Sequence, residues 1–298
     1  MKNEPSRARS SRLKSALPIG GVRAASLCIA SGKGGVGKSV LSASLAAYLA
    51  TRGRTLLVDA DLGMGNAHIL QGVQPSSTLV DFIERGDTVG DIRTRCGEGL
   101  DLLAGGSGVP HMAGLKREDR ARLAAQLAEL EVAYQFLVVD SAAGISNQTM
   151  AFGAAADRLL LVVTPDVTSM TDAYGFLKVH SQVRPAGEAL FVVNRVIDEA
   201  QAYQTAARFK EVSQRFLGVE PRWLGFIPDD PAVGASVNQR RPLLLAEPSS
   251  LAGRSLIGIA AQIFSELECL CPRGLGRSMH AVSGGEALSD AARAAQRS

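Results

Sequence analysis

Short apolar runs that end in Gly, Ser, Asp or Pro alternate along the chain with longer stretches whose apolar residues recur three and four positions apart. The runs at 27–30, 55–59, 100–103, 136–140, 159–164, 190–194 and 223–228 read as buried strands. The stretches at 40–52, 115–131, 148–156, 169–183, 200–216 and 249–267 read as helices. Ser169 followed by Asp172, just after Pro165, has the form of a capping box. Strands alternating with helices predict an α/β fold, a mostly parallel, doubly wound sheet with helices on both faces. No repeat or low-complexity linker interrupts the pattern, so one domain is expected over 23–272 between flexible tails at 1–22 and 273–298.

With 46% hydrophobic and 20% charged residues, the 298-residue chain has the material for a large core. Its net charge of +3 is unevenly placed: the first 22 residues carry five bases against Glu4, residues 273–298 carry four against two acids, and the body between them is mildly acidic. That distribution argues against a globally basic nucleic-acid binder. Four cysteines make no disulfide framework in a chain this long, and Cys269 and Cys271 lack Cys-x-x-Cys spacing, so they read as buried or idle thiols rather than cluster ligands. The four histidines show no metal-ligand spacing. No apolar stretch is long enough to span a bilayer, and the segment 249–267, with Arg254 as its only base, reads as a core helix rather than a membrane-surface one.

Chemistry enters with Gly32, Lys33, Gly34, Gly35, Val36, Gly37, Lys38, Ser39 and Val40, which follow a strand and open a helix. In that context a Gly-rich segment ending in Gly-Lys-Ser is a phosphate-binding loop of the P-loop NTPase kind. Its glycines let backbone N–H groups turn toward phosphate oxygens, Lys38 is placed to reach the β and γ phosphates, and Ser39 to offer a hydroxyl to Mg²⁺. Asp59 and Asp61 stand at the C-terminal end of a buried strand, where open α/β sheets bind ligands. One of them can hold a Mg²⁺-bound water and the other can orient an attacking water, or either can cap the turn that follows. The strand 136–140 ends in Asp140, the form of a Walker B motif. Asn194 ends another strand and carries both a donor and an acceptor for a base edge.

Lys33 is the unusual residue, because an ordinary phosphate loop has no lysine there. Ser-Gly-Lys-Gly-Gly-Val-Gly-Lys-Ser resembles the deviant phosphate loop of the MinD/ParA family of dimeric ATPases, in the SIMIBI class of P-loop proteins. The segments 140–147, 164–174, 102–108 and 225–233 resemble the flagellar-number regulators of that family (FlhG, or FleN) more closely than the division protein MinD, and the likeness spans roughly 25–265. The resemblance implies that Lys33 reaches the nucleotide of a second subunit. It also assigns Asp59 to the metal and Asp61 to the water, marks Asn66 as a switch position, and places Asn194, Pro228, Asp229 and Asp230 at adenine. It further implies an ATP/ADP- and Mg²⁺-dependent homodimer in the cytoplasm, with the GTPase FlhF or flagellar basal-body proteins as candidate partners, no specific nucleic acid, and peripheral docking at the inner membrane face or cell pole.

Two departures stand out. Residues 1–22 lack the motif with which such regulators activate FlhF, and the 273–298 segment, broken by Gly274, Gly276, Gly284 and Gly285 after Pro272, matches a lipid-docking helix poorly. The reading is an ATP hydrolase switch controlling flagellar number or placement. A ParA-like cargo positioner, a MinD-like division-site ATPase and a nucleotide-gated scaffold with negligible turnover stay open as alternatives.

Overall fold

A computed structural model describes residues 23–106, 116–185 and 189–283. The expected tail at 1–22, the start of the helix expected at 115 and the end of the second tail, 284–298, lie outside the described residues. Eight strands form one sheet: β1 (Ala25–Ala30), β2 (Thr55–Asp59), β3 (Arg93–Gly97), β4 (Leu100–Leu103), β5 (Phe136–Asp140), β6 (Arg158–Val163), β7 (Ala189–Val196) and β8 (Arg222–Pro228), in the order β3-β4-β2-β5-β1-β6-β7-β8. All neighbours are parallel except β3, which runs antiparallel to β4 at the edge.

The strands divide their side chains between two cores because successive residues point to opposite faces. Leu27 and Ile29, Leu57, Val138, and Leu160 and Val162 meet α1 (Lys38–Ala50), α9 (Leu243–Ala246) and α10 (Leu251–Glu268) on one face. Cys28, Leu56 and Val58, Val139, and Leu159 and Leu161 meet the helices on the other. These are α3 (Leu79–Glu84), α4 (Arg117–Leu130), α5 (Asn147–Ala155), α6 (Val167–Val183), α7 (Glu199–Leu217) and α11 (Leu275–Ser283). Two short helices, α2 (Ala67–Leu70) and α8 (Pro231–Asn238), lie in the connections. The crossover after β1 runs to β2 on one side and that after β5 to β6 on the other, so the adjacent strands β1 and β5 flank the point where the winding reverses. That is where such sheets open a ligand crevice.

Several elements depart from the pattern read in the sequence. β3 is Arg-Thr-Arg-Cys-Gly, an exposed edge strand with no apolar run to announce it. The capping box is at Thr78 and Asp81 on α3. At α6 the cap is Asp166, which accepts from the Thr168 N–H, while the Ser169 hydroxyl accepts from the Thr164 N–H. Cys269 and Cys271 are exposed beyond α10, which removes the buried reading of these thiols and leaves the idle one. α10 itself docks as a core helix through Leu256, Ile259, Ile263 and Leu267. Among the described residues no helix is long and apolar enough to cross a membrane.

The larger correction is α11, which forms where glycines were expected to break any helix. Leu275 and Met279 are fully buried against α4 and α5. Gly276 is the close-packing point, since a Cβ there would collide with the Ala124 carbonyl and the Ala128 nitrogen of α4. Buried Glu131 holds the start of the helix, accepting from Arg23 at 2.6 Å and from the Gly276 N–H at 3.3 Å. Arg273 pairs with buried Asp157 at 3.4 Å and donates to the last carbonyls of α5.

Leu275→Ala should therefore cost about 3 kcal/mol of stability, the range for a large buried aliphatic truncated to alanine, measurable by urea denaturation. A second prediction concerns His180, which burial and then the neighbouring Arg184 charge push down to about 4 from 6.5. The unfolded chain binds the extra proton between those values, so stability falls as pH drops through that window. Between pH 7 and pH 5 the parent should lose about 2 kcal/mol through this group, and His180→Gln should show a correspondingly shallower pH dependence in the same denaturation experiment.

Candidate functional site

The site begins with register. β2 and β5 pair so that Asp59 lies directly beside Asp140, and strand alternation turns both toward α1. Both carboxylates are buried. Lys38, in the first turn of α1, places its Nζ 3.0 Å from Asp140 Oδ1, and Ser42, one helical turn later, donates its hydroxyl to the same oxygen at 3.0 Å. Asp59 Oδ1 accepts from the Asp61 N–H at 3.1 Å and its Oδ2 from the Ala67 N–H at 3.0 Å. Burial, and then the charge of Asp140, still hold the Asp59 carboxyl well above the ordinary carboxylate range.

Above these acids the loop 32–37 turns into α1. Gly32 lies against the backbone of Asp172 in α6, Gly34 and Gly35 are exposed, and Val36 is buried. The residue before α1 is Gly37 at φ 90°, so the helix has no side-chain cap, and no acid sits in its first turn. Its first N–H groups are thus left to an outside acceptor, as an anion site requires. Ser39 and Val40 follow half-buried on the first turn. The donor set that Ser39, Asp59 and Asp140 offer is hard oxygen, and the two adjacent buried carboxylates gain from any cation placed between them, so these residues fit Mg²⁺. Among the described residues no group of three or more His, Cys, Asp or Glu gathers as a metal site.

Asp61 stands half-buried at the rim. Its Oδ1 accepts from the Gly63 and Met64 N–H groups at 3.2 and 3.0 Å, which shapes the turn leading to exposed Asn66. Lys33 is exposed and rests on its own chain: Nζ lies 2.8 Å from Asp166 Oδ2 and 2.7 Å from Thr168 Oγ1. That contact, with the Thr168 hydrogen bonds, holds the Asp166 carboxyl down to about 2. Neither partner was foreseen in the sequence, and no spacing rule connects residues 133 positions apart. Ser42 was also missed, although its position four residues after Lys38 on one helix face carried the signal.

A cavity of about 280 Å³ beside the loop is lined by Asn194, Pro228 and Asp229, and by Leu41, Leu243 and Leu256. The Asn194 amide donates to the Val36 carbonyl at 2.7 Å, which commits one of its two N–H donors to the loop and leaves the other N–H and Oδ1 for a base edge. Asp230 borders the cavity too, and its side chain has a second task. Its two oxygens accept from the Ala232 and Ala252 N–H groups, capping α8 and tying down α10, so its carboxylate serves the fold although it borders the cavity. Gly37 is what lets Asn194 reach the loop, because a Cβ there would collide with the amide nitrogen and the residue's φ is left-handed. Gly37→Ala should therefore break the Asn194 to Val36 bond and weaken binding of ATP and of inorganic triphosphate alike, by tenfold or more on the cost of one misplaced charge-binding loop. Calorimetry with both compounds checks it.

Against known proteins, the CobQ/CobB/MinD/ParA nucleotide binding domain matches residues 27–243. The chain is 33% identical to the antiactivator FleN of Pseudomonas aeruginosa over 83% of this chain and 89% of that one. It is 32% identical to the flagellum site-determining protein YlxH of Helicobacter pylori, over 81% and 82% of the two chains. In fold it is similar to MinD of Pyrococcus horikoshii, with a TM-score of 0.67 at 24% identity, covering 80% of this chain and 96% of that one. With the phosphate loop, the paired strand-end acids and the doubly wound sheet in place, the chain belongs to the MinD/ParA family of nucleotide-binding ATPases, close to its FleN/FlhG members.

Proposed function

We propose that this chain is a Mg²⁺-dependent ATP hydrolase switch whose ATP-bound dimer regulates flagellar number or placement. The observation that carries the proposal is the cluster of Lys38, Asp140 and Asp59 beneath the uncapped start of α1. In it Lys38 and the first N–H groups of α1 hold the phosphates, and Ser39, Asp59 and Asp140 hold Mg²⁺. When bound, the ion neutralises charge on the β and γ phosphates. Asp61 is the group that orients the attacking water. Its Oδ1 shapes the turn while no described residue bonds its Oδ2, so one oxygen is free for that work. Asn194 presents an acceptor to the adenine amino group, and Pro228 and Asp229 border the base.

The homodimer and Lys33 follow from the family resemblance. To reach a second subunit's nucleotide, Lys33 has to leave Asp166, so the contact within one chain and the contact between two are alternatives. The flagellar reading rests on the two relatives, one an antiactivator and the other a flagellum site-determining protein. On this reading the partners are a second copy of the chain and flagellar components such as the GTPase FlhF, met in the cytoplasm or at the cell pole.

Asp61→Asn keeps the carbonyl that accepts from Gly63 and Met64 and removes the charge that orients water. It should bind ATP with near-parental affinity, turn over slower by about 10² to 10⁴, and accumulate as an ATP dimer in light scattering. In cells it should disturb flagellar number. Turnover at the parental rate would overturn the water-orienting role of Asp61, and a parent that hydrolyses no ATP would overturn the hydrolase assignment; a trapped dimer with normal flagella would overturn the cellular role alone.

A further inference from the structure

Arg195 interrupts the alternation of β7. Val193 and Val196 pack in the same core although they are three residues apart, which a regular strand does not allow. The slip coincides with a register shift between Asn194 and Val196 against β8, and with a φ of 61° at Arg195, a left-handed conformation that costs a non-glycine residue free energy. Its effect is to re-aim a side chain, as strand bulges beside binding sites do. In a regular strand Arg195 would point to the face opposite Asn194; here both line the base cavity.

The bulge lets Val196 return to the core, but no strong ion pair accounts for where the Arg195 side chain is held. Its contact with a carboxylate is Nε to Asp229 Oδ1 at 3.8 Å, with both side chains more than half exposed, and such surface pairs contribute little. The backbone beneath is fixed by the Asp229 N–H, which donates to the Val196 carbonyl at 2.9 Å. Among the described residues that line the base cavity, Arg195 is the one cation, in a lining that also includes the apolar residues Leu41, Val233, Leu243 and Leu256. It also lines a second cavity of about 390 Å³ that contains Lys33 and Asp166, so it stands on the ridge between them.

We infer that Arg195 is a nucleotide-binding residue whose planar guanidinium closes over the purine face at the rim of the base cavity, with Asp229 holding it in place. Arginine suits this role because its flat cation stacks on an aromatic ring, which a lysine ammonium does less well. The inference rests on the ATPase reading above and deepens it, since it names a residue that recognises the base rather than the phosphates.

Calorimetry on the parent, Arg195→Ala and Arg195→Lys with ATP, ADP and inorganic triphosphate tests it. The alanine variant should lose about tenfold in affinity for both ATP and ADP, the scale of one such contact, and nothing for triphosphate, which has no base. Retained triphosphate binding also shows that the phosphate loop is folded. The lysine variant should resemble alanine. Unchanged ATP affinity in Arg195→Ala, a parallel loss for triphosphate, or full rescue by lysine would each overturn the assignment, while a parent that binds no nucleotide would overturn the ATPase reading itself.

Discussion

Two carboxylates placed side by side at the ends of β2 and β5 set the terms for the rest of the C-terminal edge of this sheet. Parallel register brings Asp59 and Asp140 together, and burial denies them the water that would screen them. The fold answers in two ways. Lys38 swings onto Asp140, which draws the start of α1 and the loop before it down onto the strand ends. Asp59 is met by backbone N–H groups from the turn after it, which draws the segment around Asp61 into the same place. A loop able to wrap phosphates and a turn able to hold a water thus meet at one edge, each bonded to one of the two buried carboxyls.

The same edge is stitched laterally. Asn194 at the end of β7 bonds the Val36 carbonyl, so the strand that borders the base cavity is tied to the phosphate loop across the width of the neighbouring strand. Gly37 makes room for that tie, and its missing side chain also leaves α1 uncapped. One small residue therefore serves two ends: the helix dipole stays open to an anion, and the base side and phosphate side of the crevice are held at a fixed distance.

Much of this was legible in the sequence, for identifiable reasons. The buried strands announce themselves because their neighbours cover both faces, so runs such as Phe136–Asp140 have no polar positions until the terminal aspartate. The phosphate loop was legible because glycine, lysine and serine at that spacing between a strand and a helix have few other uses. Contacts between distant segments were not. Asp166 and Thr168 beside Lys33, and Arg195 turned toward Asn194, depend on how α6 and β7 reach the loop, which local periodicity does not encode. Gly276 misled in the opposite direction: a residue that weakens an isolated helix is required in α11 because α4 passes too close for a side chain. The capping role of Asp230 was not legible because a carboxylate beside a candidate pocket and a carboxylate that caps a helix look alike in one dimension.

Both partners of the Lys33 pair stand in solvent, and side chains in that setting rotate on the picosecond to nanosecond scale. Two protein surfaces find a productive orientation far more slowly. In a face-to-face dimer of the proposed kind, the parting of Lys33 from Asp166 is therefore a rapid pre-equilibrium and sets no barrier to assembly. What the contact changes is the average charge each copy presents during the approach. For part of the time the long cation is folded against a carboxylate rather than extended, which softens the repulsion between two like charges while the surfaces search for register, and phosphate oxygens, once near, shift that rapid equilibrium toward the extended form.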